Sequence, residues 1–200
     1  MPQAYHIVLT GPSGSLGVPG ISGTGTMSWF IAGSWLFAMN ASNNGAGYLG
    51  FNDWRLPSSF EPDGSRPCQG TGIFGFNCTG SEMGHLFYTE LGGVTGQSIA
   101  TTHNANYDLF TNIQPFAYWS GQEYLNYTTG GAWYFRFFDG GQGIVDKRSS
   151  SEVLGAAWAV RDGDVAAVPA PGAAWLLGTA LMGWLGLVRR KAMKLALRVE

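Results

Sequence analysis

Hydrophobic residues dominate one long segment near the start of the chain. Residues 27–40, MSWFIAGSWLFAMN, are apolar on nearly every side, which predicts a helix that is largely buried. Thr26 or Ser28 can cap its start, and the NNG run at 43–45 can end it. We therefore predict the first helix over 27–40.

A second helix is predicted over 81–91, where apolar residues recur at helical spacing. Thr79 and Glu82 have the spacing of a capping box. The glycines at 92–93 provide a stop. One apolar face of this helix is formed by Met83, Leu86, Phe87 and Leu91.

Short strands are predicted mainly in the second half of the chain. A brief strand at 52–57 ends at a proline, and loops are expected over 58–78 and 94–112. The DGG run at 139–141 predicts a hairpin turn. The later strands are predicted at 117–120, 132–138, 143–147 and 156–162. Helices followed by antiparallel strands indicate an α+β domain.

The C-terminal region has three unlike parts in a fixed order. A short proline motif is followed by the uncharged apolar run 172–188 and then by a basic cluster. The apolar run is at the lower limit of length for a helix that spans a bilayer, and a buried core helix is the alternative. The residues of the motif and the cluster are Val168, Pro169, Ala170, Pro171, Arg189, Arg190 and Lys191.

This order of parts resembles the PEP-CTERM sorting signal of Gram-negative bacteria. The resemblance implies a partner exosortase that cleaves the chain, and membrane anchoring through 172–188 before cleavage. Two features depart from the pattern: Ala170 stands where Glu is usual, and AMKLALRVE continues after the basic cluster.

A sorting signal of this kind requires earlier export. The first residues, MPQAYHIVLTGPSG, hold no basic start, apolar stretch or small-residue cleavage site. We therefore expect a misplaced start or a fragment. Residues 1–26 are predicted to be a flexible lead-in. Glycine at every third position over 11–25 also matches the collagen pattern, so a collagen-like segment is the alternative. The domain is predicted over 27–164 and the sorting signal over 165–200.

Charge is scarce and unevenly placed. Charged residues make up 12% of the 200 residues and aromatic residues 14%, which argues against disorder. Residues 1–188 hold six Lys and Arg against twelve Asp and Glu, a net −6, whereas 189–200 carry five against one, a net +4. An acidic body without a basic patch argues against nucleic-acid binding.

The two cysteines, Cys68 and Cys78, flank a glycine-rich stretch. An even count at short spacing in an exported protein predicts a disulfide that closes a small loop. Two unrelated thiols are the alternative. A metal site is less well supported, because no second Cys or His pair has ligand spacing.

Five motifs in order resemble one bacterial domain family. They are the Trp-bearing helix at 27–40, DWRLP at 53–57, SEMGHL at 81–86, YWSGQEY at 118–124 and AWAVR at 157–161. Together they resemble the Lcl-type C-terminal domain of a bacterial collagen-like adhesin, over residues 27–164. The resemblance implies a C-type-lectin-like fold with two helices and a curled antiparallel sheet. It also implies non-catalytic adhesion or glycan binding, and it carries over no individual binding residue.

Several side chains are candidates for a site. Trp54, Trp119, Trp133 and Trp158 can stack on sugar rings, although apolar strands favour a core role for all four. Arg55 and Arg161 are expected to pair with Asp53 or Asp162. Glu82 and His85 lie at i, i+3 but lack the second such pair that a carboxylate metal site needs. Glu123, Asp139 and Asp146 offer the oxygen ligands that calcium prefers, although the sequence lacks the Glu-Pro-Asn and Trp-Asn-Asp triplets of calcium-dependent lectins.

We therefore expect no catalytic residue, no resident metal and no cofactor. The predicted function is that of an exported protein of the Gram-negative cell envelope, sorted by an exosortase to the cell surface or matrix. Its domain would bind extracellular polysaccharide or another matrix component. The alternatives are a self-associating matrix protein without a ligand pocket, which would be a homo-oligomer, and an enzyme of unknown type on a lectin-like fold.

Overall fold

The computed structural model describes residues 8–9, 15–59, 68–71, 74–125, 130–148 and 155–162. These residues form an α+β domain built around one sheet, as the sequence predicts. The strands are β1 (Val8–Leu9), β2 (Thr26–Met27), β3 (Gln69–Thr71), β4 (Phe74–Phe76), β5 (Ala117–Tyr124), β6 (Gly131–Arg136), β7 (Gln142–Asp146), β8 (Gly155–Ala156) and β9 (Trp158–Ala159).

The main sheet has seven strands in the order β2-β8-β5-β6-β7-β4-β3. Strand β5 runs parallel to β8, with Tyr118 opposite Ala156, and the other neighbours are antiparallel. The predicted antiparallel sheet is therefore a mixed one. The reason is that the chain after β7 returns to pair on the far side of β5 rather than continuing the hairpin order.

The first helix, α1, spans Trp29–Ala41. The side chain of Ser28 caps it by accepting from the backbone N–H of Ile31, so the second of the two predicted caps is used. The helix begins two residues later than predicted, because β2 pairs with β8. A 3-10 turn, Asn43–Gly45, follows the helix at the predicted stop.

The second helix begins with α2 (Glu82–Gly84) and continues as a π-helical segment, His85–Glu90. Its cap is Ser81, whose Oγ accepts from the N–H of Gly84 at 3.1 Å. The predicted capping role of Thr79 is therefore wrong. The predicted apolar face is confirmed, because each of its four residues is buried: Met83, Leu86, Phe87 and Leu91.

Each face of the sheet is covered by a core, and neighbouring strand residues point to opposite cores. On one face, Trp119 packs with α1 in a cluster that includes Trp35 and Met39. On the other face, Tyr118 packs with Phe87 and the rest of the second helix. Central strand β5 is buried on both sides at this point, as the continuous apolar run requires.

Three predicted segments differ from the structure. Residues 52–57 form no strand and contribute only a single bridge, from Arg55 to Val160. The predicted loop 58–78 contains the β3–β4 hairpin. The predicted strand 156–162 is divided, because β8 pairs with β2 and β5 whereas β9 pairs with β1. The predicted turn at 139–141 is confirmed between β6 and β7.

Among the residues that the structure describes, no helix is long and apolar enough to span a membrane. The predicted spanning segment 172–188 lies outside those residues, as do the sorting-motif positions from Val168 to Pro171 and from Arg189 to Lys191.

Candidate functional site

Loop 94–112 connects the second helix to β5 and is fixed to the β6–β7 turn. The backbone N–H of Gly96 donates to the carbonyl of Asp139 at 2.8 Å, and that of Ile99 donates to the carbonyl of Phe137 at 2.9 Å. The Ile99 side chain is fully buried. Long irregular connections that are held in this way are commonly functional.

A second set of hydrogen bonds fixes the loop to the end of the helix. The Asn104 N–H donates to the carbonyl of Leu91 at 2.8 Å. The side-chain amides of Asn104 and Asn106 both donate to the carbonyl of Glu90, at 3.0 and 2.9 Å. The 3-10 turn Ala105–Leu109 is therefore held in place by its own asparagines.

The outward side of loop 94–112 is almost uncharged, with Asp108 as its one acidic residue, and it carries many polar side chains beside the exposed Val94 and Leu109. The rings of His103 and Tyr107 stack with centroids 4.1 Å apart and planes 20° apart. Nδ1 of His103 lies 2.7 Å from the carbonyl oxygen of Ile99. Because a carbonyl only accepts, Nδ1 carries the proton and Nε2 is the acceptor of the neutral ring.

The surface of this loop offers amide donors and acceptors, hydroxyl groups, an imidazole acceptor and an aromatic ring. Its solvent-exposed polar side chains include Thr101, His103, Asn104, Asn106, Asp108, Thr111 and Asn112. Such a set suits hydrogen bonding to a neutral, hydroxyl-rich ligand. The sequence predicted the loop but singled out none of these residues as ligands. The sequence feature that could have indicated them is a segment rich in asparagine and threonine that holds a single charged residue.

The four candidate tryptophans are core residues. Their exposed fractions are 3% for Trp54, 0% for Trp119, 7% for Trp133 and 0% for Trp158. The core role that the sequence favoured is therefore confirmed. Trp119 also donates from Nε1 to the carbonyl of Met27 at 2.7 Å, which satisfies its buried N–H. Sugar stacking on these rings is ruled out by their burial.

Both candidate arginines form ion pairs. Arg161 donates to both carboxylate oxygens of Asp53, at 2.9 and 3.1 Å, as the sequence predicted. Arg55 contacts Asp162, again as predicted, but its bidentate partner is Glu82, at 2.8 and 2.6 Å. The hydrogen bond from Arg161 lowers the pKa of Asp53, and the hydrogen bond to Glu82 raises the pKa of Arg55. Both contacts have a structural role.

Glu82 and His85 are not brought together as a metal site. Glu82 is held by Arg55 and by the N–H of Ser58, and His85 Nε2 lies 3.0 Å from a carboxylate oxygen of Glu90. In the described ranges, no group of three or more His, Cys, Asp or Glu is arranged to hold a metal ion.

The three carboxylates that could serve as calcium ligands do not lie together in the structure. Each accepts hydrogen bonds from a different neighbour: Glu123 from Lys147 Nζ at 2.7 Å, Asp139 from Arg136 Nε at 2.9 Å and Asp146 from the N–H of Arg148 at 2.7 Å. They do not form one cluster.

The predicted disulfide joins Cys68 to Cys78, with the two Cα atoms 4.3 Å apart. It closes the segment that contains the β3–β4 hairpin. Gln142 on β7 donates from Nε2 to Cys68 Sγ at 3.2 Å. The bridge is therefore in contact with the sheet as well as with its own hairpin.

Compared with protein-family models, curated proteins and solved structures, the chain matches none.

Proposed function

We propose that this chain is an exported bacterial surface protein whose domain is a non-catalytic adhesion module. The ligand is a neutral extracellular polysaccharide, and loop 94–112 binds it. The observation that carries this proposal is the nearly uncharged loop surface, rich in amide and hydroxyl side chains, which backbone hydrogen bonds hold to both the β6–β7 turn and the second helix. A fixed loop loses little conformational entropy when a ligand binds.

The chemistry of the loop favours a neutral sugar. Asn104 and Asn106 are held by bonds to the Glu90 carbonyl, so their positions are set before binding. The exposed ring of His103, held by stacking on the half-buried Tyr107, supplies a flat ring with a polar edge. A polyanionic glycan fits less well, since residues 1–188 carry a net −6 and would repel it.

Export is supported by two independent features. The first is the Cys68–Cys78 disulfide, a bond typical of oxidising compartments. The second is the tail, with the proline motif at 168–171, the apolar run 172–188 and the basic cluster at 189–191. We infer that an exosortase recognises this tail and that the chain is membrane-anchored before cleavage. It then resides at the cell surface or in the matrix.

We also propose that the domain has a C-type-lectin-like fold. A mixed sheet with one helix packed on each face is compatible with the C-type-lectin-like fold that the Lcl-type resemblance implies. Fold alone does not define a function, so the ligand class rests on the loop chemistry.

Binding to immobilised polysaccharide tests the ligand class. The purified full chain is expected to bind a neutral glucan or mannan and not a polyuronate. Asn106→Ala and His103→Ala should each raise the Kd by about tenfold, the effect of losing one hydrogen bond or ring contact. Asn52→Ala is the matched control, because Asn52 is also exposed but lies outside the loop. Equal binding by all variants would refute the assignment of the loop.

A further inference from the structure

The hydroxyl group of Tyr88, in the π-helical segment His85–Glu90, connects two other parts of the chain. It donates to the carbonyl of Gly140 in the β6–β7 turn at 2.7 Å, and it accepts the backbone N–H of Asn77 at 3.1 Å. Asn77 directly precedes Cys78, one of the two disulfide-bonded cysteines. One hydroxyl therefore joins the second helix, the turn and the segment that the disulfide closes.

The start of loop 94–112 is attached to the same group of atoms through Thr95. The Thr95 hydroxyl lies 2.6 Å from Asn77 Oδ1 and 3.3 Å from the Tyr88 oxygen. A hydroxyl has a single proton to donate, so Thr95 donates it to the nearer amide oxygen. The next residue, Gly96, donates its backbone N–H to a carbonyl of the β6–β7 turn at 2.8 Å. The loop therefore begins at the point where the disulfide-bonded segment, the helix and the turn meet.

Two backbone features fit this meeting point. Gly140 has a φ of 77°, and a Cβ there would lie 2.4 Å from the Tyr88 oxygen, so only glycine lets the hydroxyl approach. Asn77 has a φ of 57°, in the left-handed region that asparagine tolerates best among residues with a side chain. Such a conformation persists where the surrounding structure fixes it. Asn77 is fixed by β4 on one side and by the bridged Cys78 on the other.

We propose that Tyr88 is a positioning residue for loop 94–112, and that through it the position of the loop depends on the Cys68–Cys78 bond. The bond fixes Asn77, and Asn77 holds both the Tyr88 hydroxyl and Thr95. Each hydrogen bond in this route is 3.1 Å or shorter. The expected effect on ligand affinity rests on the proposed polysaccharide binding, whereas the effect on the loop itself requires no ligand.

Hydrogen exchange of the full chain without ligand tests the positioning of the loop. Tyr88→Phe keeps the ring and removes the hydroxyl. It should speed exchange of the Gly96 and Ile99 amides by about fivefold, the effect of one lost hydrogen bond. Tyr124→Phe is the matched control, because Tyr124 is also half-buried but lies at the far end of β5. Equal exchange of the loop amides in the two variants would overturn the proposal.

A second control separates positioning from overall stability. Glu82→Gln removes the charged contact with Arg55, which lowers the stability of the whole domain but lies outside the Tyr88 contacts. Because loops exchange by local opening, Glu82→Gln should leave the exchange of the loop amides unchanged. If Glu82→Gln speeds that exchange as much as Tyr88→Phe does, the hydroxyl acts only through global stability and the proposal is wrong.

A double-mutant cycle tests the dependence on the disulfide. The Cys68→Ser, Cys78→Ser chain should show faster loop exchange than the wild type. Adding Tyr88→Phe to it should change that exchange by less than about twofold, since the route is already broken. Fully additive effects would mean that the bridge and the hydroxyl act independently, against the proposal. Thr95→Val keeps the bridge and the side-chain shape and needs no cysteine substitution, so it should also speed loop exchange; an unchanged loop would contradict the route.

Binding of the full chain to an immobilised neutral glucan tests the consequence for affinity. Tyr88→Phe should raise the Kd by about fivefold, although Tyr88 lies outside loop 94–112. Tyr124→Phe and Glu82→Gln should leave the Kd unchanged. Equal glucan binding by the wild type and Tyr88→Phe would refute the role of Tyr88 in affinity. If the exchange results are as expected and the wild type binds no glucan, the positioning of the loop is supported and the polysaccharide assignment is refuted.

Discussion

The guanidinium of Arg55 donates to both carboxylate oxygens of Glu82, at 2.8 and 2.6 Å, and so ties the segment after α1 to the start of the second helix. The same carboxylate accepts the backbone N–H of Ser58 at 2.8 Å. Glu82 is only 16% exposed. The pair therefore joins the two helix-bearing faces of the sheet through a half-buried contact.

Replacing Glu82 with Gln should lower the free energy of unfolding by about 1–2 kcal/mol, because a bidentate charged contact becomes a neutral one. Urea unfolding monitored by tryptophan fluorescence measures the change. The control is Glu90→Gln, which alters an exposed pair with His85 and should change stability by less than about 0.5 kcal/mol. Equal effects of the two substitutions would show that the Arg55 contact is unimportant.

Gly84 lies against the backbone of the disulfide-bonded segment. A Cβ at this position would be 1.7 Å from the carbonyl oxygen of Cys78, so a main-chain shift is required. Gly84→Ala should therefore destabilise the domain by about 3 kcal/mol or more, in the range of severe overpacking. Thermal unfolding measures the change, and Gly33→Ala is the matched control. Gly33 is also helical, but a Cβ there would meet no atom of the described residues within 4 Å outside its own helix, so Gly33→Ala should not lower the Tm. A neutral result at Gly84 would contradict the packing.

Loss of the Cys68–Cys78 bond should destabilise the domain by about 2–3 kcal/mol, the entropy expected for a short closed loop. A Cys68→Ser, Cys78→Ser double variant measures this loss directly. Dithiothreitol should lower the Tm of the wild-type chain and leave that of the double variant unchanged. An identical response of both proteins to the reductant would mean that the two thiols are not joined.

Tyr118 makes stability depend on alkaline pH. Burial raises the pKa of its phenol above the ordinary value, and its oxygen accepts the N–H of Gln114 at 2.8 Å. Because the folded pKa exceeds the unfolded one, the stabilisation is complete below about pH 10 and is lost as pH rises further. Unfolding free energies between neutral and alkaline pH should fall steeply in the wild type and less steeply in Tyr118→Phe. Equal slopes would refute the assignment.

The sequence predicted the parts of the fold that local pattern specifies. The second helix was found because Met83, Leu86 and Phe87 repeat at helical spacing. The β6–β7 turn was found from its Asp-Gly-Gly run. The disulfide was predicted because the chain has only two cysteines and they lie ten positions apart.

Contacts between residues that are distant in the sequence could not be predicted from the local pattern of residues. Nothing in the residues near Tyr118 indicates that β8 returns parallel to β5. The short β3–β4 hairpin lacked an alternating apolar pattern. Arg55 was predicted to pair with Asp53 or Asp162, whereas the fold also brings Glu82 into contact with it. The candidate loop could be located from the sequence, but the stacking of His103 on Tyr107 could not.

The central claim, that this is an exported and sorted surface protein, is tested most directly by mass spectrometry of the mature chain from envelope and culture fractions. The account predicts a C-terminus near 168–172 and an intact Cys68–Cys78 bridge. A chain that ends at Glu200, with free thiols and in the cytosol, would contradict it.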